Sequence, residues 1–160
     1  ARHRPPLAQL SDDEAVAIIA YTSQLYREIN RRMRGHLPME DLQVVVDTLN
    51  SALGKLPKFI GAVKRSSNLP EDVLAAHQVG SSVTYEAYTS TSKVRFNDLF
   101  GKQHFTIFSR DGRDISALSI HDDEKEVLFL PGARFEIKER HAADASNGQF
   151  IEVFMDQVTS

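Results

Sequence analysis

An α+β domain is expected from three features of this 160-residue sequence. Apolar residues recur at helical spacing before Pro57, they alternate with polar ones after it, and turn dipeptides punctuate the second part. Helices first and strands afterwards argue against alternating βαβ units. The expected organisation is a tether over residues 1–8 and one domain over 9–160, helical to about residue 57 and β from there to about 158.

The first helix is announced by Ser11, Asp12, Asp13 and Glu14, a capping-box pattern ahead of an apolar stripe. Ala15, Ile18, Ile19, Leu25, Tyr26, Ile29 and Met33 carry that stripe, and Gly35 is expected to end the helix. Arg31, Arg32 and Arg34 fall in its last turns, where cations complement the helix dipole. Pro38 opens a second helix with Leu42, Val45, Val46, Leu49, Leu53 and Leu56 on one side. Gly54 and Pro57 weaken and stop it.

Seven strands follow by alternation: Phe59–Arg65, Val83–Thr89, Gln103–Ser109, Ile115–Ile120, Glu126–Leu130, Arg134–Glu139 and Gln149–Asp156. Asp111-Gly112, Pro131-Gly132 and Asn147-Gly148 supply turns, and Pro70–His77 fits a short helix.

Composition bounds the function. With 41% hydrophobic and 26% charged residues the chain reads as an ordinary globular domain, and a net charge of −3 argues against a nucleic-acid backbone as main partner. No apolar run approaches the roughly 20 residues that cross a bilayer. The absence of cysteine removes disulfides, thiolate catalysis and zinc–thiolate sites. The six histidines show no metal-ligand spacing, and His121, near the acidic run, is read as structural or solvated. No Gly-rich phosphate loop and no Gly-x-Ser-x-Gly turn is present. The arginine-rich start reads as a tether without a signal-peptide pattern, suggesting a domain taken from something longer.

Three sites stand out. Alternation puts Phe59, Gly61, Val63 and Arg65 on one inward face, and an inward arginine needs an anionic partner such as a phosphate. Ser90, Thr91 and Ser92 follow an alternating segment; small hydroxyl residues commonly end strands, but Ser90 could also orient a carboxylate while Thr91 and Ser92 hold the backbone and neighbouring strands in register. Glu124 and Glu126 lie in an acidic run that by default is a solvated loop, yet Glu126 leads directly into Val127-Leu128-Phe129-Leu130. If strand pairing already holds at Glu124, both glutamates project from one face, suiting divided acid–base and cation-stabilising roles. Phe96 and Phe100 sit in a polar connection, either as satellite core anchors or as cover for a flat heteroaromatic ligand. Tyr26 and Asn30 lie one helical turn apart, as do Arg27 and Arg31, so this helix can present polar groups to a ligand.

Taken together, these residues resemble the Arg–Ser–Glu class of mono-ADP-ribosyltransferases, the group that includes bacterial arginine-modifying toxins and effectors. The resemblance spans nearly all of the chain. The helix from Tyr26 to Asn30 is similar to the one that closes over the dinucleotide, and Lys64-Arg65 to the strand-end arginine that contacts phosphate and ribose. Tyr88-Thr89-Ser90-Thr91-Ser92 resembles the aromatic-x-Ser-Thr-Ser element, and Glu124 to Gly132 the Glu-x-Glu strand and its turn. Lys64 and Ser66 depart from the family's frequent neighbours of the arginine, and Leu130-Pro131 replaces a frequent double proline. The loop at about 120–125 corresponds to the family's target-recognition loop, without an aromatic residue that would name the target.

The resemblance implies N-terminal helices packed on a two-sheet antiparallel β core with a central NAD cleft, NAD as substrate, and no metal. It implies that Glu126 stabilises the ribosyl cation, that Ser90 holds Glu126, and that Arg65 grips the pyrophosphate or adjoining ribose. Phe96 or Phe100 would stack near the nicotinamide, while Tyr26, Asn30, Thr91 and Ser92 complete the dinucleotide site. Glu124 would act as base toward the acceptor. The partners implied are a target protein with an exposed arginine and a cognate immunity or inhibitor protein, with nucleic acid unfavoured and no membrane. Such a domain is expected to be secreted or delivered into a target cell's cytoplasm. The other readings are an NAD glycohydrolase, a nucleic-acid ADP-ribosyltransferase and a non-catalytic binding module.

Overall fold

A computed structural model describes residues 9–96, 101–118, 125–145 and 148–159. The Ser11 hydroxyl accepts the Glu14 N–H at 3.1 Å, and Glu14 Oε1 accepts the Ser11 N–H at 2.9 Å, so the capping box forms. It opens α1 (Asp12–Ala20). A π-helical turn (Tyr21–Leu25) then passes into α2 (Tyr26–Arg34), so the expected single helix carries one wide turn in its middle. Chain reversal after α2 uses His36 in the left-handed region (φ 53°), whereas Gly35 keeps a negative φ. The second helix starts later than Pro38 suggests: a 3₁₀ turn (Glu40–Leu42) leads into α3 (Gln43–Lys55).

Glu14 also ties the two long helical segments together. Its carboxylate accepts Ser51 Oγ at 2.6 Å and Lys55 Nζ at 2.7 Å from α3. The Lys55 hydrogen bond, with those from Ser11 and Ser51, outweighs burial and lowers the Glu14 carboxyl from 4.5 to about 2. A folded-state value below the unfolded one contributes stability above about pH 4.5, lost as pH falls toward about 2. Glu14→Gln is therefore expected to cost about 1.5–3 kcal/mol at neutral pH, the worth of hydrogen bonds to a charged group. The deficit should shrink toward about pH 3, as measured by urea denaturation.

After α3 the chain enters β1 (Lys58–Ser67), then α4 (Glu71–Ala75), β2 (Ser82–Tyr85), β3 (Thr89–Ser92) and β4 (Gln103–Asp114), followed by β5 (Glu126–Phe129), β6 (Ala133–Ala145) and β7 (Gly148–Val158). Among the described residues these seven strands form one hydrogen-bonded system, ordered β1-β3-β5-β4-β7-β6-β2 with β1 also paired to β4. The two expected sheets are thus joined into one. β1 uses both edges at Lys64, toward Ser92 of β3 and Thr106 of β4, and the end of β4 meets β5 again at Arg113 and Asp114. Pairing is antiparallel except between β4 and β7, which run parallel.

Two strand expectations and one turn expectation change. Val83–Thr89 splits, because the chain leaves the sheet between Tyr85 and Thr89, and the serine-threonine triplet itself becomes β3. Ile115–Leu118 is a turn closed by Leu118 N–H to Ile115 O at 2.9 Å; the rest of that expected strand lies outside the described residues. Asp111-Gly112 lies inside β4, not between strands. Gly112 is needed there for space, since a Cβ would sit 2.7 Å from Val127 Cγ1 and 2.8 Å from Ser109 Oγ. Asn147 of the expected turn lies outside the described residues.

Two cores result. One lies under the helices and holds Ile18, Ile29, Leu49, Leu53, Tyr88 and Leu128. The other lies between the strands and holds Val63, Phe105, Ile107, Val127, Phe129 and Val153. β5 is buried on both faces: Val127 and Phe129 enter the strand core, and Leu128 enters the helical core. Alternation therefore turns Glu126 toward the helical layer, where it is 5% exposed.

Candidate active site

β3 and β5 pair with Ser92 opposite Glu126 and Ser90 opposite Leu128, so Ser90 lies diagonal to Glu126 on a shared face. Across that diagonal Ser90 Oγ donates to Glu126 Oε2 at 2.6 Å. Arg65, near the end of β1, donates through Nη1 to the Ser90 carbonyl oxygen at 3.3 Å. Burial pulls Arg65 below the ordinary arginine range. The arginine, the hydroxyl and the carboxylate, far apart in the chain, thus border one space.

That space is a cavity of about 360 Å³ between the helical layer and the strands. Glu126, Ser90 and Arg65 line its strand side, and Tyr26, Asn30 and Arg34 from α2 line the other. The π-helical turn matters here. Its Tyr26 N–H to Tyr21 O bond inserts an extra residue into the turn and rotates α2 about its axis, and Tyr21, Thr22, Tyr26 and Asn30 all reach the cavity wall. Asn30 is 7% exposed and its amide is committed: Nδ2 donates to Tyr21 Oη at 2.9 Å and Oδ1 accepts the Tyr88 N–H at 3.2 Å. Burial raises the Tyr21 and Tyr88 phenols, so both stay neutral.

A second cavity of about 490 Å³ adjoins the first, sharing Arg34 and Arg65. Leu69, Val73, Tyr85, Ala87 and Phe105 give it an apolar wall. Burial pushes the Tyr85 phenol up to about 12 against the opposing charge of Arg65, and His77 Nε2 meets its hydroxyl at 2.8 Å. The cavities together carry Arg27, Arg34 and Arg65 against Glu126 and Glu86, in a chain of net charge −3. Such local positive charge suits an anionic ligand.

The other sequence candidates fall elsewhere. Thr91 Oγ1 donates to Val127 O at 2.8 Å, and Ser92 Oγ accepts the Val94 and Arg95 N–H groups. Both are buried in strand register and the following turn, and neither lines either cavity. Phe96 stacks on His104 with centroids 4.4 Å apart, and Lys64 Nζ lies 5.5 Å from its ring, so it does not line the cavity. Glu124, Phe100 and His121 lie outside the described residues. Strand alternation stops at Glu126 because Lys125 is left-handed (φ 50°), so a common face for the two glutamates does not follow from β5. Arg34 was legible only as a helix-end cation; its place at the junction of two cavities depends on the turn between α1 and α2. Among the described residues no group of three or more His, Asp or Glu could hold a metal ion, and no helix is long and apolar enough to cross a membrane.

Helices over a mostly antiparallel sheet, two adjoining cavities lined by arginines and a serine-held carboxylate make a cleft suited to an anionic ligand. Residues 2–155 match the family model of NAD:arginine ADP-ribosyltransferases, and the chain belongs to that family, whose substrate is NAD. It is 38% identical over 153 residues to Mav of Mycobacterium avium (strain 104), covering 93% of this chain and 18% of that protein. It is 36% identical over 154 residues to the NAD(+)–protein-arginine ADP-ribosyltransferase Tre1 of Pseudomonas putida (strain GB-1), covering 94% and 30%. The chain thus spans less than a third of these relatives' length. In fold it is similar to the ADP-ribosyltransferase HopU1 of Pseudomonas syringae pv. Tomato DC3000, with a TM-score of 0.81 at 24% identity, covering 98% of this chain and 81% of that one.

Proposed function

We propose that residues 9–160 are the catalytic domain of a mono-ADP-ribosyltransferase that moves ADP-ribose from NAD to an arginine of a target protein. The observation that carries this reading is the 2.6 Å hydrogen bond from Ser90 to Glu126 at the wall of a cavity shared with Arg65. NAD has two nucleoside ends joined by a pyrophosphate, and the two chambers meet at Arg34 and Arg65. In this reading the arginines hold the pyrophosphate, with the nicotinamide ribose beside Glu126 and the adenosine toward the apolar wall formed by Val73 and Tyr85.

The chemistry obeys the logic of glycoside cleavage. The bond from ribose C1′ to the nicotinamide nitrogen breaks, its electron pair leaves with nicotinamide, and positive charge develops on the ribose. Glu126, fixed by Ser90, stabilises that charge through the 2′-hydroxyl and its own carboxylate. An arginine nitrogen of the acceptor then bonds to C1′. A guanidinium is a poor nucleophile while fully protonated, so Glu124 takes its proton as the new bond forms.

The target protein and an inhibitor protein covering the cleft are the expected partners, and delivery into a target cell's cytoplasm as a toxin or effector is the expected setting. Relatives named as toxins support this, among them the ADP-ribosyltransferase toxin AexT of Aeromonas salmonicida. Incubation with biotinylated NAD and bacterial or eukaryotic lysates, with mass spectrometry of the labelled peptides, should find ADP-ribose on arginine. Free ADP-ribose without labelled protein would favour a hydrolase, and nuclease-sensitive label would favour a nucleic-acid acceptor. Glu124→Gln is expected to lose transfer while keeping part of the NAD hydrolysis; transfer equal to wild type would refute its role as base.

A further inference from the structure

The chain leaves the sheet after Asp114 and returns at Glu126, and the segment between carries Glu124. Its two ends are tied by one residue outside both cavities. Lys93, just after β3, donates its backbone N–H to the Lys125 carbonyl at 3.1 Å, at the returning end. Its Nζ reaches Asp114 Oδ2 at 2.6 Å, at the departing end. Asp114 Oδ1 accepts the Ser116 N–H at 3.0 Å and the Ser116 hydroxyl at 2.7 Å, holding the first turn of the segment. Ile115 N–H to Glu126 O at 3.1 Å closes the base.

This pair differs from a loose surface ion pair. The Lys93 and Asp114 side chains are 25% and 30% exposed, and Lys93 Nζ also lies 5.4 Å from the centroid of the Phe59 ring. Burial opposes the charge on Asp114, yet Lys93 and Ser116 hold its carboxyl below the ordinary range. Lys125, between the two glutamates, adopts φ 50°, a conformation costly for a lysine that persists only where neighbours enforce it. The tie through Lys93 thus holds Lys125, the described residue that directly follows Glu124 in the chain.

We infer that the Lys93–Asp114 pair is a positioning device for the acceptor half of the reaction, setting how the ribosyl group partitions between arginine and water without touching NAD. The inference rests on the arginine-transferase reading above. Misplacement by about 1 Å through a distant change can cost about a hundredfold in rate, so a small shift of this base is enough.

The test compares Lys93→Met, Asp114→Asn and Lys93→Arg with wild type, scoring NAD hydrolysis without acceptor and transfer to agmatine, a small guanidino acceptor. Transfer kcat/KM should fall about tenfold or more in the first two variants, with NAD hydrolysis and the KM for NAD within about threefold of wild type. Lys93→Arg, which keeps the cation, should restore the partition. The double variant Lys93→Met with Asp114→Asn should be no worse than the poorer single one, because both remove the same tie. Asp114→Asn keeps an oxygen for Ser116, so it serves even if Lys93→Met fails to fold. A transfer-to-hydrolysis ratio equal to wild type in Asp114→Asn, or equal losses of both activities, overturns the inference. Wild-type protein that consumes NAD but never labels agmatine or an arginine would instead sink the reading beneath it.

Discussion

Glu126→Gln is expected to abolish both NAD hydrolysis and ADP-ribose transfer, with kcat lower by at least about 10²–10³. Glutamine matches glutamate in size, and its amide oxygen can still accept the Ser90 hydroxyl that now lies 2.6 Å from Oε2. What disappears is the negative charge facing the cavity, which in the proposed reaction stabilises the developing ribosyl cation. Loss should therefore appear in kcat and not in NAD affinity, measured by calorimetry on the inactive variant. Residual turnover above about a tenth of wild type would show that another group stabilises the cation.

Arg65→Lys is expected to raise the KM for NAD by about 10- to 100-fold while kcat changes little. A lysine retains the charge but not the planar fork on which the proposed pyrophosphate contact relies. The fold should tolerate the change, because the one hydrogen bond described for Arg65 is a 3.3 Å contact to the Ser90 carbonyl. Thermal melting separates a binding effect from a structural one. A variant with normal KM and depressed kcat would place Arg65 in the chemistry instead of at the pyrophosphate.

Local chemistry made the skeleton of this fold readable. The capping box at Ser11 and Glu14, the stripe along α3 and the apolar run of β5 each state one conformation at one level, and the structure has all three. The convergence of Arg65, Ser90 and Glu126 was readable only through the family resemblance, since spacing along the chain carries no distance across it. What escaped depends on tertiary context. The π-helical turn leaves the apolar stripe nearly intact, so periodicity does not reveal it, and with it went the places of Tyr21, Thr22 and Arg34 on the cavity wall. The run from Ile115 onward alternates like a strand but turns at Asp114 and Ser116, where side-chain hydrogen bonds to the backbone compete with pairing. Thr91 and Ser92 did not escape: their hydroxyls are taken up by strand and turn contacts, as the register-holding reading of the triplet expects. Phe96 finds an aromatic neighbour in His104, a pairing between residues that no sequence rule brings together.

The wide turn between Tyr21 and Leu25 has a further consequence. One fewer residue there would restore a regular helix with better backbone geometry, and would swing everything after it by about 100° away from the cleft. Conformational economy and the lining of the cleft thus pull this stretch of chain in opposite directions. Variants chosen for heat resistance alone would tend to drift toward a straight helix whose side chains no longer wall the cavity.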